Sequence, residues 1–176
     1  MSKPKEHAVK KRADVSDAPK ASRPDMPEGY LSNSKTGMLP WNWLDERMEK
    51  ALNYWVATTR PDGRPHVMPV WGVWLNREFY FGTHPQSRKA RNLKANPQMA
   101  VHLESAEEVI IVEGAIEEVR ENSLLSQFNE AYLAKYQMPA GHGEEDAPIY
   151  CLQPRVAFAW QVMTINQSAT RWSFED

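Results

Sequence analysis

The residues best suited to chemistry lie where a predicted strand leads into a predicted helix, between Thr83 and Lys89. The first N–H groups of a helix have no partner within it and the helix dipole is positive at that end, so this junction can receive an anion. The hydroxyls of Thr83 and Ser87 and the cations of Arg88 and Lys89 fall within the same few residues. We interpret them as a phosphate cradle, since Arg grips two oxygens and Lys acts as a point charge. On these residues alone, a Ser-capped helix with a solvated basic face is an open alternative.

A second candidate site lies in residues 62–71, Asp-Gly-Arg-Pro-His-Val-Met-Pro-Val-Trp. Pro69 removes one donor from a strand and leaves backbone groups free for a planar heterocycle, while Trp71 offers a stacking face. An edge strand packed on a neighbour is the structural alternative. Near the C-terminus, Arg171 beside Trp172 can hold a ligand or dock the chain end against the fold.

Length, charge and cysteine content narrow the class of protein. The 176 residues suffice for one domain, and a net charge of −2 gives no global positive field to attract nucleic acid or anionic membrane. Cys151 is the only cysteine, which favours a reducing compartment, and we expect a cytoplasmic protein. The sequence has neither an apolar run of membrane-spanning length nor the apolar core of a signal peptide. Seven tryptophans indicate a deep pocket, a subunit interface or both.

The chain divides into a polar N-terminal segment and one folded domain. Residues 1–35 mix both signs of charge with prolines and few large apolar groups, so we predict a disordered tail. Residues 40–176 contain the periodic apolar patterns of a folded domain.

Short predicted strands alternate with two or three helices in this domain. An amphipathic helix follows Pro40, and further helices are predicted at 87–95 and 123–136. The predicted strands are 54–59, 66–75, 79–83, 99–104, 109–119, 149–153 and 155–162, with a short final segment at 169–174. We expect Pro69 at a sheet edge or bulge, a bulge or bend at Gly114, and an exposed loop at 141–146. This pattern predicts a mainly β protein with peripheral helices, an antiparallel barrel.

Three groups of residues, in chain order, carry a family resemblance. They are residues 53–66, then Phe81-Gly82-Thr83 with residues 87–93 and Asn96-Pro97, then Val112-Glu113-Gly114. Together they resemble the pyridoxamine 5′-phosphate oxidase-like split-barrel family, over about residues 41–174. The resemblance implies a six-stranded antiparallel split barrel, a homodimer with cofactor sites at its interface, and FMN or the deazaflavin coenzyme F420 as ligand.

The resemblance also implies roles for residues of this chain. Thr83, Ser87, Arg88 and Lys89 face the cofactor phosphate, and residues 67–71 line the ring system. The complete predicted cofactor site is Val67, Met68, Pro69, Val70, Trp71, Gly82, Thr83, Ser87, Arg88, Lys89, Arg171 and Trp172.

Several positions depart from the oxidase itself. An Arg and a Lys that contact the cofactor there correspond here to Met68 and Val73, and a flavin-contacting Gln corresponds to Val109. The Arg and His that hold the substrate phosphate are not found. We therefore do not expect true pyridoxamine phosphate oxidation, but a more open, apolar ring pocket. These departures leave the choice between FMN and F420 open.

The resulting hypothesis is a flavin- or deazaflavin-dependent oxidoreductase that transfers hydride between its cofactor and a small organic substrate. The alternatives are a non-catalytic flavin-binding or storage protein and a haem-binding split-barrel protein, with His66, His84 or His102 as the axial ligand. No catalytic acid or base is identified. The histidines lack metal-ligand spacing, so no metal site is predicted.

Overall fold

The computed structural model describes residues 18–140 and 147–174 of the chain. The helices in these ranges are α1 (Trp41–Lys50), α2 (Arg88–Ala95), α3 (Asn122–Tyr136), a 3-10 turn at Val162–Thr164, and α4 (Ile165–Ser168). The strands are β1 (Lys20–Ser22), β2 (Tyr54–Thr59), β3 (Pro65–Val70), β4 (Val73–Leu75), β5 (Glu78–Gly82), β6 (Gln98–His102), β7 (Glu108–Glu118), β8 (Ile149–Gln161) and β9 (Thr170–Ser173). None of these helices combines the length and the apolar composition that a membrane crossing requires.

All the strand pairs in the described ranges are antiparallel, and they belong to a single sheet. The order is β1-β9-β8-β7-β6-β2-β3, and the β4–β5 hairpin joins the sheet through β5, which pairs with β8. The mainly β, antiparallel prediction is confirmed. The seven predicted strands correspond to β2, β3 with β4, β5, β6, β7 and the two halves of β8. The predicted final segment corresponds to β9, and only β1 was not predicted.

The long strands β7 and β8 form the ribbon that connects the two halves of the sheet. One edge of β8 pairs with β7, whereas the other edge pairs with β5 at Ile149–Leu152 and with β9 at Val156–Ala159. The register of this ribbon shifts between Glu113 and Gly114. The predicted irregularity at Gly114 is therefore confirmed, and it lies where β8 changes its second partner.

The core lies between the sheet and α1. Leu44 and Met48 face inward from one side of α1, and they pack with Tyr54, Phe79 and other apolar side chains of the strands. Trp172 lies in the same core, where its ring meets that of Trp41 edge to face at 5.6 Å. A second, smaller cluster joins α3 to β4, β5 and β8.

Three predicted boundaries differ from the structure. The strand predicted at 66–75 is broken between β3 and β4, because Gly72 leaves the ladder and its N–H donates to the Tyr136 hydroxyl at 3.0 Å. The two strands predicted at 149–162 are one strand, β8, because β7 pairs along both halves.

The third difference concerns the N-terminal segment predicted to be disordered over residues 1–35. Residues 1–17 lie outside the described residues, but Lys20–Ser22 forms β1 on the edge of β9. Backbone pairing and long-range contacts, which composition does not report, order this polar segment. The predicted loop at 141–146 also lies outside the described residues.

Candidate functional site

A cleft of about 540 Å³ opens beside the edge strand β3. This volume is within the range of small-molecule sites. Its lining comes from β3 and the residues after it, the end of β5, the start of α2, and α3: Asn53, Pro69, Val70, Trp71, Gly82, Thr83, His84, Lys89, Phe128, Tyr132 and Ala147. Six of the twelve predicted cofactor residues meet here, namely Pro69, Val70, Trp71, Gly82, Thr83 and Lys89.

The end of β5 and the start of α2 form a corner rich in hydrogen-bond donors. Ser87 is the N-cap of α2, and its Oγ accepts from the Ala90 N–H at 3.1 Å and from the Thr83 hydroxyl at 3.1 Å. Since one of the two paired hydroxyls donates to the other, one hydroxyl proton of this pair has no acceptor among the described residues. The corner can therefore donate hydrogen bonds to an anion from a hydroxyl and from the first N–H groups of α2.

Lys89 supplies the charge in this corner. Its side chain lines the cleft and is half-buried, and burial lowers the pKa of its ammonium group. Among the described residues, no hydrogen bond or ion pair engages its Nζ. A cation removed from water without a partner is unfavourable, and an anionic ligand in the cleft would supply that partner.

Arg60 and His66 also lie close to this corner and were not predicted to belong to it. Burial and then the charges of Arg60, Lys89 and Arg88 lower the pKa of His66. The buried Nε–H of Arg60 has no hydrogen-bond acceptor among the described residues. Arg60 and His66 flank the β2–β3 turn. They come close to α2 only because the sheet packs the turn and the helix side by side, so no local pattern in the sequence predicts this contact.

The β3 side of the cleft is apolar. Pro69 lies on an edge strand that pairs with β2, as its missing N–H predicted. Trp71 follows β3, and its ring stacks on that of Tyr136 at 4.8 Å with an interplanar angle of 5°. The Tyr136 hydroxyl also contacts both backbone groups of Gly72, which holds the β3–β4 break against α3.

Helix α3 closes the opposite side with Phe128 and Tyr132. The sequence predicted the helix at 123–136 that carries these residues, but it did not place them in the site. Their spacing of four residues places both side chains on the same face of α3. No sequence pattern near them indicates that this face packs against β3 and β5.

The remaining predicted residues lie away from the cleft lining. Val67 and Met68 are exposed on β3, the Ser87 hydroxyl contacts that of Thr83, and Arg88 is exposed at the start of α2. Arg171 is half-buried on β9 beside Ser173. Trp172 is a core residue with 1% exposure, so in this chain it stabilises the fold and does not border the cleft.

The three histidines considered as haem ligands lie on different elements. Only His84 lines the cleft, and its Nδ1 accepts from the Gln86 N–H at 3.0 Å. His66 is on β3, and His102 is on β6, stacked on Trp55. In the described ranges, no group of three or more His, Cys, Asp or Glu side chains has an arrangement that could hold a metal ion.

Comparison with protein families gives one match that covers most of the fold. The family described as "Pyridoxamine 5'-phosphate oxidase" matches residues 44–161. A pyridoxine/pyridoxamine 5'-phosphate oxidase of Gluconobacter oxydans (strain 621H) is 46% identical over 68 residues, which cover 36% of this chain and 34% of that protein. The matched segment thus spans about a third of this relative.

Solved structures share the fold at low sequence identity. The conserved hypothetical protein Rv2991 from Mycobacterium tuberculosis superposes with a TM-score of 0.62 at 19% identity, covering 78% of this chain and 90% of its own. An F420 reductase has a TM-score of 0.53 at 24% identity over 75% of this chain and 98% of its own. A heme binding protein from Mycobacterium smegmatis has a TM-score of 0.55 at 18% identity, covering 66% of this chain and 52% of its own. At these identities the likenesses establish a common split-barrel fold.

Proposed function

Because this chain belongs to the pyridoxamine 5′-phosphate oxidase family, we propose that its cleft binds FMN by the phosphate group and that the protein is an oxidoreductase. The deazaflavin coenzyme F420 is the alternative ligand, in view of the F420 reductase that shares the fold. When bound, either cofactor supplies hydride transfer to or from a small organic substrate.

One observation carries the proposal: the half-buried Lys89 faces the cleft with no anionic partner among the described residues. A phosphate would neutralise it and would also take hydrogen bonds from the paired hydroxyls of Thr83 and Ser87 and from the N-terminus of α2. A phosphate-bearing cofactor therefore matches the corner in two respects: its negative charge pairs with Lys89, and its oxygens accept the hydrogen bonds that the corner can donate. Arg88 and Arg60 would add long-range attraction from outside the lining.

The ring of the cofactor would lie toward β3 in this proposal. Pro69, Val70 and Trp71 would shield it from water, and the free edge of β3 would supply backbone hydrogen-bonding groups. Met68 and Val73 stand at the two positions occupied by cations in the oxidase, so this chain offers the ring an apolar environment. The Arg and His that hold the substrate phosphate in the oxidase are also not found here, so the proposed reaction is not pyridoxamine phosphate oxidation.

We further propose a cytoplasmic homodimer, with residues 40–176 as one cofactor-binding domain extended by β1. Val67 and Met68 are 46% and 42% exposed on the edge strand beside the cleft. A second chain on this edge would cover them and complete the cofactor site, which is the arrangement that the family resemblance implies. The lone, buried Cys151 favours a reducing compartment.

The proposed phosphate contact is tested by comparing FMN with riboflavin, which lacks the phosphate. Lys89→Ala should weaken FMN binding about 10- to 100-fold, since a charge-assisted bond contributes about 1.5–3 kcal/mol. Riboflavin binding should be unchanged. Lys94→Ala, an exposed lysine of the same helix, is the matched control. Titration followed by flavin fluorescence measures the affinities of the wild type and both variants for each ligand, and equal losses for both ligands in Lys89→Ala would remove Lys89 from the phosphate site.

Ligand choice and enzymatic activity need a separate experiment. The purified protein is titrated with FMN, F420 and haem, and the absorption spectrum reports which one binds at micromolar or lower concentration. Reduction and reoxidation of the bound cofactor are then compared with those of free cofactor. A bound cofactor that reacts no faster than the free one would favour the storage alternative, and binding of haem alone would replace the proposal.

A further inference from the structure

The side of the cleft formed by α3 is a continuous row of aromatic rings. Phe128 and Tyr132 lie 5.5 Å apart, Tyr132 and Tyr136 lie 4.6 Å apart, and Tyr136 stacks on Trp71 at 4.8 Å. The three α3 residues are spaced by four, so they share one face of the helix. Three of these rings, those of Trp71, Phe128 and Tyr132, line the cleft.

The contacts behind this row keep the rings in place. The Tyr136 hydroxyl lies 2.8 Å from the carbonyl oxygens of both Leu52 and Gly72. The adjacent Lys135 ammonium donates to the Tyr54 hydroxyl at 2.8 Å and to the Glu49 carbonyl at 3.1 Å. A flat ligand would thus meet preorganised rings, and little side-chain entropy would be lost on binding.

The Tyr132 hydroxyl differs from those of its neighbours. The hydroxyls of Tyr54, Tyr80 and Tyr136 each have a hydrogen-bond partner, whereas in the described part of the chain that of Tyr132 has none. Tyr132 is only 4% exposed, and burial raises the pKa of its phenol. At neutral pH it is therefore an unused donor in a cleft-lining side chain, and a ligand acceptor would satisfy it.

The lining near this row carries no charged side chain. It consists of Asn53, Pro69, Val70, Trp71, Phe128, Tyr132 and Ala147, while Gly82, Thr83, His84 and Lys89 belong to the end of β5 and the start of α2. An anionic substrate would lose hydration here without gaining a cationic partner, because the cofactor phosphate would engage Lys89. An uncharged, flat molecule would retain both its stacking area and its hydrogen bond.

From this geometry we propose that the α3 side of the cleft is a substrate subsite for planar, uncharged, conjugated compounds with a carbonyl-type oxygen, which accepts a hydrogen bond from the Tyr132 hydroxyl. The inference rests on the proposed function, because it assigns the substrate side of the same cofactor cleft. It narrows the substrate from any small organic molecule to one chemical class.

The test uses the FMN-loaded protein and two flat, neutral probes, coumarin with a carbonyl and naphthalene without one. Coumarin should bind, and Tyr132→Phe should weaken it about 2- to 10-fold, the value of one neutral hydrogen bond. Naphthalene affinity and FMN affinity should not change in this variant. Tyr150→Phe, a half-buried tyrosine outside the cleft lining, is the matched control. Saturation-transfer NMR competition measures the probe affinities.

The outcomes separate this inference from the proposed function. If neither FMN nor F420 binds the wild-type protein, both fail. If FMN binds normally but coumarin does not bind, or binds equally well to Tyr132→Phe, the subsite is wrong while the cofactor site stands. A loss of FMN affinity in Tyr132→Phe would make the hydroxyl a cofactor contact and would also overturn the inference.

Discussion

At the scale of single residues, two half-buried lysines show how environment separates structural from functional roles. The ammonium of Lys135 has three oxygen acceptors, in Glu49, Tyr54 and Gly72. Lys89 has no such partner among the described residues and faces the cleft. The first lysine is held by the fold, and the second is available to a ligand. Burial lowers the pKa of both ammonium groups, and this shift can be measured.

The stability contribution of Lys135 should depend on pH. Burial lowers its pKa from 10.5 to about 8, so between these values the unfolded chain binds a proton that the folded chain has lost. Stability therefore rises with pH across this window. We expect the melting temperature of the wild type to rise relative to that of Lys135→Met between pH 7 and pH 9.5. Thermal unfolding followed by circular dichroism measures this difference.

The control for that prediction is Lys94→Met, at an exposed position of α2. Its melting temperature should follow that of the wild type over the same pH range. A difference between the wild type and Lys135→Met that stays constant or falls with pH would contradict the assigned burial. Tyr54 and Cys151 also titrate differently in the folded state, because burial raises the pKa of each. Comparison of variants at the same pH cancels these contributions.

At the scale of elements, the β7–β8 ribbon depends on the close approach of two backbones. A Cβ at Gly114 would lie 1.9 Å from the Gln153 carbonyl oxygen and 3.1 Å from the Pro154 Cα. Only glycine leaves room for the bulge that redirects β8 from β5 to β9. This bulge allows one strand to belong to both halves of the sheet. It therefore shapes the whole fold, although it lies away from the cleft.

Gly114→Ala should destabilise the protein by more than about 2 kcal/mol, because the clash is with backbone that cannot rotate away. Gly82→Ala is the matched control, since its Cβ would meet only the flexible end of Ile149 at 3.1 Å. We expect this control to change stability by less than about 1 kcal/mol. Urea denaturation measures both values. Equal stability of the two variants would mean that the ribbon is not closely packed at Gly114.

At the scale of the whole molecule, the guanidinium of Arg23 connects the N-terminal segment to the end of the chain. It donates to the carbonyls of Ser34 at 2.6 Å and Ala169 at 2.8 Å, and also to those of Thr36 and Gln167. Together with the pairing of β1 and β9, these bonds attach residues 20–36 to the C-terminal part of the fold. The attachment joins positions 146 residues apart in sequence.

Arg23→Ala should lower stability by about 1–3 kcal/mol, since several charge-assisted hydrogen bonds are lost. The stability of Arg23→Lys should lie between those of the wild type and Arg23→Ala. An ammonium group keeps the charge but cannot reach four carbonyls as the planar guanidinium does. Chemical denaturation gives the stabilities, and limited proteolysis should show faster cleavage within residues 24–40 in the alanine variant. Unchanged protection of that segment would show that β1 alone holds it.

Much of the fold and one corner of the site were predictable from local sequence. Three local features predicted structure correctly, because each acts through neighbours in the chain. The alternation in residues 54–59 predicted β2, Gly114 predicted the bulge, and the Ser87 cap predicted the start of α2. The hydrogen-bond donors of the corner between β5 and α2 all fall between Thr83 and Lys89 in the sequence, so they too were visible locally. The family resemblance, which the match over residues 44–161 confirms, extended these local predictions to a split barrel.

Tertiary structure decided which distant surfaces meet. The aromatic face of α3 lies about sixty residues from Trp71 in sequence, and only packing across the sheet brings the two together at the cleft. Packing likewise placed Trp172 in the core, the docking alternative of the sequence analysis, and paired β1 with β9. These contacts depend on the summed burial and backbone pairing of the complete chain, which no short segment encodes.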